Sequence, residues 1–76
     1  MTEHVKHIVD NLPFNPGIYM MKDENGKIIY VGKAISLRKR VRQYFQKNNK
    51  SARIEKMVSL IRDISYIVTE NEVEAL

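Results

Sequence analysis

Two tyrosines stand beside glycines in a pattern that can face a phosphate. Tyr19 closes Gly17-Ile18-Tyr19, and Tyr30 opens Tyr30-Val31-Gly32. The glycines permit tight turns and leave backbone accessible beside each phenol. Lys33 follows at once, and an arginine-rich stretch, LRKRVRQYF, runs from Leu37 to Phe45. Between Gly26 and Ile54 there is no acid, while Lys27, Lys33, Arg38, Lys39, Arg40, Arg42, Lys47, Lys50 and Arg53 all fall there. After Arg62 the pattern inverts, with Asp63, Glu70, Glu72 and Glu74 and no base. A basic middle beside an acidic tail suits a phosphate-facing surface next to carboxylates. Taken singly, these residues have plainer readings: strand tyrosines mostly pack, and charge runs mostly solvate a surface.

These side chains are positioned by a few short elements. Thr2 caps a helix carrying Val5, Ile8, Val9 and Leu12 on one face, so residues 1–12 read as an N-terminal helix ended by Pro13. Ile18–Lys22 and Lys27–Val31 read as strands joined by Asp23-Glu24-Asn25-Gly26, with Asn25-Gly26 suited to positive φ. Residues 17–33 thus form a β-hairpin holding both triplets, with Gly32 breaking the second strand. Ser36 caps a helix that is apolar at Leu37, Val41, Tyr44 and Phe45 and basic elsewhere. Ser51 caps a third helix with Ile54, Met57, Val58 and Ile61 as its stripe and Asp63 at its end. Ile64–Thr69 alternates as a third strand. Thr69 with Glu72, or Asn71 with Glu74, then offers a capping box for a helix cut short at Leu76. The expected order is α-β-β-α-α-β-(α truncated): an α+β domain with a small antiparallel sheet covered by helices. Of Met20 and Met21, one is expected in the core and one exposed.

Composition narrows the function classes. The chain has 76 residues, net charge +4 and no cysteine, so it is one small domain without disulfide, thiolate metal site or cysteine nucleophile. His4 and His7 are too few for a structural zinc site and read as surface residues of the first helix. No apolar run nears the ~20 residues of a membrane span, and the expectation is a cytoplasmic protein.

The two triplets resemble the motifs that name the GIY-YIG endonuclease family, here with valine at the middle of the second. The similarity continues through Tyr30-Val31-Gly32-Lys33-Ala34 and Leu37–Phe45, and resumes at Tyr66-Ile67-Val68-Thr69 and Glu72–Leu76. Within the family the chain resembles the UvrC branch, the N-terminal catalytic domains of the excinuclease ABC nucleases, over almost its whole length from Pro13. The resemblance implies a GIY-YIG nuclease fold with three antiparallel strands. It implies hydrolysis of a DNA phosphodiester as the 3′-side incision of nucleotide excision repair, on damaged double-stranded DNA loaded by UvrA and UvrB. By position, Tyr19, Tyr30, Lys33, Arg40 and Tyr44 match family active-site residues. A divalent metal, Mg²⁺ or Mn²⁺, is implied as cofactor, held by a glutamate a few residues past Leu76. The 76 residues alone are therefore expected to be inactive or nearly so, with no metal ligand of their own; Glu72 is read as a capping-box residue and Glu70 and Glu74 as helix N-terminal charges.

The chemistry suits these residue types. Arg40 would brace the phosphate and stabilise charge that grows in the transition state. Tyr30 resembles the general base. A free phenol titrates at about 10, so Tyr30 needs a nearby cation, for which Lys33 is the local candidate. Tyr19 and Tyr44 would orient water or phosphate. Arg40 and Tyr44, four apart, share a helix face. Arg38, Lys39 and Arg42 point elsewhere and, with Lys47 and Lys50, would grip flanking DNA backbone without sequence choice. Two alternatives are a stand-alone nuclease of the family acting on other DNA, and a non-catalytic nucleic-acid-binding module built on the basic helix.

Overall fold

The computed structural model describes residues 1–46 and 51–70. The first helix, α1 (Glu3–Asp10), starts where the Thr2 Oγ1 accepts the Val5 N–H at 3.1 Å. It ends two residues before the sequence expectation, because the Asn11 side chain donates to the His7 carbonyl at 2.8 Å and closes the last turn. Val5, Val9 and Leu12 are buried, which makes the periodic stripe the packed face.

Strands β1 (Gly17–Lys22) and β2 (Ile28–Ala34) form the hairpin. Asp23 organises its turn: one carboxylate oxygen accepts the N–H groups of Asn25 and Lys27 at 2.9 and 3.0 Å. Gly26 alone among the described residues has positive φ, at 80°, so Asn25 is not needed in that region. β2 does not break at Gly32. It continues to Ala34, with Gly32 opposite Tyr19 and Lys33 opposite Ile18.

Helix α2 (Leu37–Tyr44) has Ser36 at its N-cap, but the Ser36 hydroxyl makes no capping bond. The N–H groups of Leu37 and Arg38 instead donate to the carbonyls of Asn15 and Pro13, each at 3.0 Å. The turn entering β1 therefore seats the helix that carries Arg40. Helix α3 (Ala52–Leu60) is capped as expected, with the Ser51 Oγ accepting the Ile54 N–H at 3.2 Å. It stops at Leu60, and Asp63 opens β3 (Asp63–Val68) rather than closing the helix. The pairing of the Arg62 N–H with the Lys22 carbonyl at 2.8 Å already commits that segment to the sheet. The capping boxes expected at Glu72 and Glu74 lie outside the described residues.

The sheet order is β2-β1-β3, all antiparallel. Period-two alternation sets Tyr19 and Met21 on the same face as Tyr30, Gly32, Ile64 and Tyr66. That face packs on Val5, Val9, Leu12, Leu37, Val41 and Ile61, all nearly inaccessible. Each such side chain contributes about 1.5–3 kcal/mol of burial. Met21 is in this core and Met20 half-buried on the other face. The result is the expected α+β domain, with its core between one sheet face and the helices.

Candidate active site

Tyr19 is the hub. It sits in the central strand, 1% exposed, with its ring across the backbone of Gly32 on the neighbouring strand. A Cβ at Gly32 would collide with the Cζ and hydroxyl of Tyr19. The glycine of the second triplet is thus the space that the tyrosine of the first occupies. Gly17 has a similar reason: a Cβ there would strike the Ile67 carbonyl and come within 2.8 Å of Leu37 Cδ1, forcing apart β1, β3 and α2.

From this seat the Tyr19 hydroxyl shares a 2.9 Å hydrogen bond with the Tyr44 hydroxyl of α2. Tyr30 completes a triangle. Ring centroids are 6.2 Å apart for Tyr19–Tyr30, 6.0 Å for Tyr19–Tyr44 and 5.8 Å for Tyr30–Tyr44. The Arg40 guanidinium carbon lies 5.3 Å from the Tyr44 ring centroid, as the spacing of four predicts. Gln43 accepts from Arg40 Nη1 at 3.3 Å. Gln43 is not among the residues that the motifs single out; its place three residues after Arg40 was the available signal.

Tyr19, Tyr30, Gly32, Lys33 and Arg40 line one open cleft of about 460 Å³ along the β2 edge. Its electrostatics are uneven. Tyr30 is held above the usual phenol range, chiefly by hydrogen bonding to Tyr44, then by interaction with the Tyr44 charge and by burial; Arg40 pulls it down. Tyr44 is raised by burial and by its bond to Tyr19. Arg40 is raised in turn, chiefly by hydrogen bonding to Tyr19, so its positive charge is secure. Arg40 is a cation that lowers Tyr30. Lys33, the cation expected beside Tyr30, opposes Ile18 in the register and lines the same cleft as Tyr30.

The basic residues divide. Arg38, expected to grip DNA, is half-buried; its Nε donates to the Leu12 carbonyl at 2.6 Å and its guanidinium lies 4.3 Å from the Phe14 ring centroid. It ties α2 to the chain after α1. Arg42 reaches Asp10 at 3.7 Å across an exposed surface, and Lys39 is exposed. Lys47 and Lys50 lie outside the described residues. His4 hydrogen-bonds Asp63 at 3.0 Å, a surface tie between α1 and β3. Among the described residues no cluster of three His, Cys, Asp or Glu could hold a metal ion, and no carboxylate lines the cleft. The described residues on their own do not fit a divalent cation.

Comparison with known proteins gives a consistent result. A family model described as the UvrC-like GIY-YIG domain matches residues 15–76. UvrABC system protein C of Caldicellulosiruptor saccharolyticus is 64% identical over 66 residues, which cover 87% of this chain and 11% of that protein. The protein of the same name from Acetivibrio thermocellus is 52% identical over 73 residues, 95% of this chain and 12% of that one. The chain thus spans only 11–12% of the length of these curated relatives. The crystal structure of the GIY-YIG N-terminal endonuclease domain of UvrC from Thermotoga maritima, bound to its catalytic divalent cation magnesium, superposes with a TM-score of 0.84 at 32% identity. The match covers 99% of this chain and 81% of that one. With the fold, both triplets and the tyrosine cluster in agreement, the chain belongs to the UvrC-like GIY-YIG endonuclease domain family.

Proposed function

We propose that this chain is the nuclease part of a UvrABC system protein C, cutting damaged double-stranded DNA on the 3′ side of a lesion once UvrA has loaded UvrB. The observation that carries the reading is the convergence of the Tyr19 and Tyr30 phenols and the Arg40 guanidinium on a single cleft, with the Tyr44 hydroxyl hydrogen-bonded to that of Tyr19. A scissile phosphate placed there meets Arg40, whose fork of donors stabilises charge added as water attacks phosphorus and the bond to the 3′ oxygen breaks. Tyr19, fixed by Tyr44 and roofed over Gly32, holds that guanidinium in place. Lys33 contacts the phosphate from the rim. Arg38, Lys39 and Arg42 steady the flanking backbone, and Arg38 also ties α2 to the chain after α1 through the Leu12 carbonyl.

Tyr30 is assigned the proton of the attacking water. Its raised pKa means that it is protonated at neutral pH and orients water by a hydrogen bond; accepting the proton requires the phenolate. Mg²⁺ or Mn²⁺ is the proposed cofactor of the full-length protein, and its carboxylate ligand would come from outside the described residues. The cytoplasm is the proposed location, where such DNA is found.

The test is incision of a lesion-bearing duplex by the full-length protein with UvrA and UvrB, at several pH values. If Tyr30 is the base, the logarithm of the cutting rate climbs with pH with a slope near one below its pKa, because the phenolate is the minor form. Tyr30→Phe flattens that climb and removes most 3′ cutting. Full 3′ cutting by Tyr30→Phe would overturn the assignment of Tyr30 as the base; 3′ cutting that survives both Tyr30→Phe and Arg40→Ala while DNA binding weakens would favour a non-catalytic binding module.

A further inference from the structure

Tyr30 is a wall between two recesses. On one side lies the cleft with Lys33 and Arg40. On the other, a groove of about 550 Å³ runs between β2 and α3, lined by Ile29, Tyr30, Arg53, Ile54, Lys56 and Met57, among others. Its floor is apolar because α3 packs incompletely: no residue of this helix is fully buried, Ile54 and Met57 are half-buried, and Leu60 at the groove's end is 48% exposed. Its rim is cationic. Arg53 and Lys56 are exposed, stand three apart on one helix face, and form no ion pair among the described residues. Glu55, the one acid of α3, is not part of the lining.

An apolar floor with an aromatic wall and two cations, free of carboxylates, matches the chemistry of a nucleotide: a base to stack or pack, and a phosphate to neutralise. The groove and the cleft share the Tyr30 side chain. We propose that this groove seats the DNA nucleotide next to the scissile phosphate, with its base on Met57 and Ile54 and its phosphate on Arg53 and Lys56. The proposal rests on the reading of the cleft as a phosphate site. The residues involved are new to it, since the expected backbone contacts all lay on α2 and the segment after it. Lys33 and Arg40 on one side of Tyr30 and Arg53 and Lys56 on the other then form one track along a DNA strand.

The test is fluorescence anisotropy of a labelled single-stranded oligodeoxynucleotide titrated with the protein at several salt concentrations. Each phosphate contact contributes about 0.7 to the slope of log affinity against log salt on a single strand. Arg53→Ala/Lys56→Ala is expected to weaken binding and to flatten that slope by about 1.4. Lys33→Ala/Arg40→Ala is expected to do the same independently. Both substitution pairs involve exposed side chains, and circular dichroism confirms that the variants fold. A change with the cleft pair but none with the α3 pair overturns the groove and leaves the proposed function standing. A change with the α3 pair but none with the cleft pair overturns the cleft reading, and with it the placement beside a scissile phosphate. In a second measurement, a strand carrying 5-iodo-2′-deoxyuridine is irradiated and the cross-linked peptide sequenced. Attachment at Met57 is expected; attachment only outside α3 and β2 contradicts the proposal.

Discussion

Gly32→Ala is the sharpest structural perturbation of this site. The glycine is in extended strand, without positive φ, so the change introduces no backbone strain. What it introduces is a methyl group where the Tyr19 ring already lies, colliding with Cζ and the hydroxyl and coming within 2.9 Å of Cε1. Tyr19 is fully buried against α2 and cannot swing into solvent. Overpacking of this kind costs about 1–3 kcal/mol. Displacing the ring also stretches the 2.9 Å bond to Tyr44, a further ~1 kcal/mol. A total of about 2–4 kcal/mol is large for a chain of 76 residues, whose whole stability is about 4–11 kcal/mol. At about 4–8 °C per kcal/mol, the melting temperature should fall by at least ~8 °C. Thermal unfolding followed by circular dichroism measures it. A Gly32→Ala protein melting within about 2 °C of the parent would refute the packing argument, because ~0.5 kcal/mol is the effect of an ordinary surface change.

Gly26→Ala should behave differently: nothing lies within 4 Å of its added Cβ, but φ is 80°, so the loss is conformational and of order 1 kcal/mol, read from the urea midpoint. A Tyr19→Phe and Tyr44→Phe double-mutant cycle on unfolding free energy should return a coupling of about 0.5–1.5 kcal/mol; a cycle that closes to zero would deny that the two hydroxyls interact. Tyr30 and Tyr44 are both raised in the fold, so the stability they supply is complete below the ordinary phenol pKa of about 10 and is lost as pH rises through the folded values. Melting temperatures should therefore drop above about pH 10, and less so in Tyr44→Phe. Treating the full-length protein with a chelator should abolish incision and restoring Mg²⁺ should recover it; cutting that survives chelation would remove the metal from the proposal.

The hairpin, its turn and the helix bearing Arg40 were legible because each is a local matter: alternation over a few residues, an Asn–Gly turn, a spacing of four. The shared face of Arg40 and Tyr44 followed from the same arithmetic and holds at 5.3 Å. What did not show was tertiary. Gly32 looked like a strand breaker, yet its missing side chain is filled by a ring from thirteen residues earlier. Arg38 shows its charge in the sequence but not its bond to the Leu12 carbonyl, 26 residues away. Asp63 looked like a helix end, whereas the sheet takes it through pairing with Lys22. The groove along α3 depends on how loosely that helix packs, which its apolar stripe alone does not reveal.

The central claim is that Arg40, seated by Tyr19 and Tyr44, stabilises the reacting phosphate rather than merely binding DNA. Single-turnover nicking by the full-length protein carrying Arg40→Ala, with saturating UvrB-loaded DNA and Mg²⁺, tests it most directly. The account predicts a rate lower by about 10²–10³-fold even when all the DNA is bound. A rate that returns to normal once binding is saturated would contradict it.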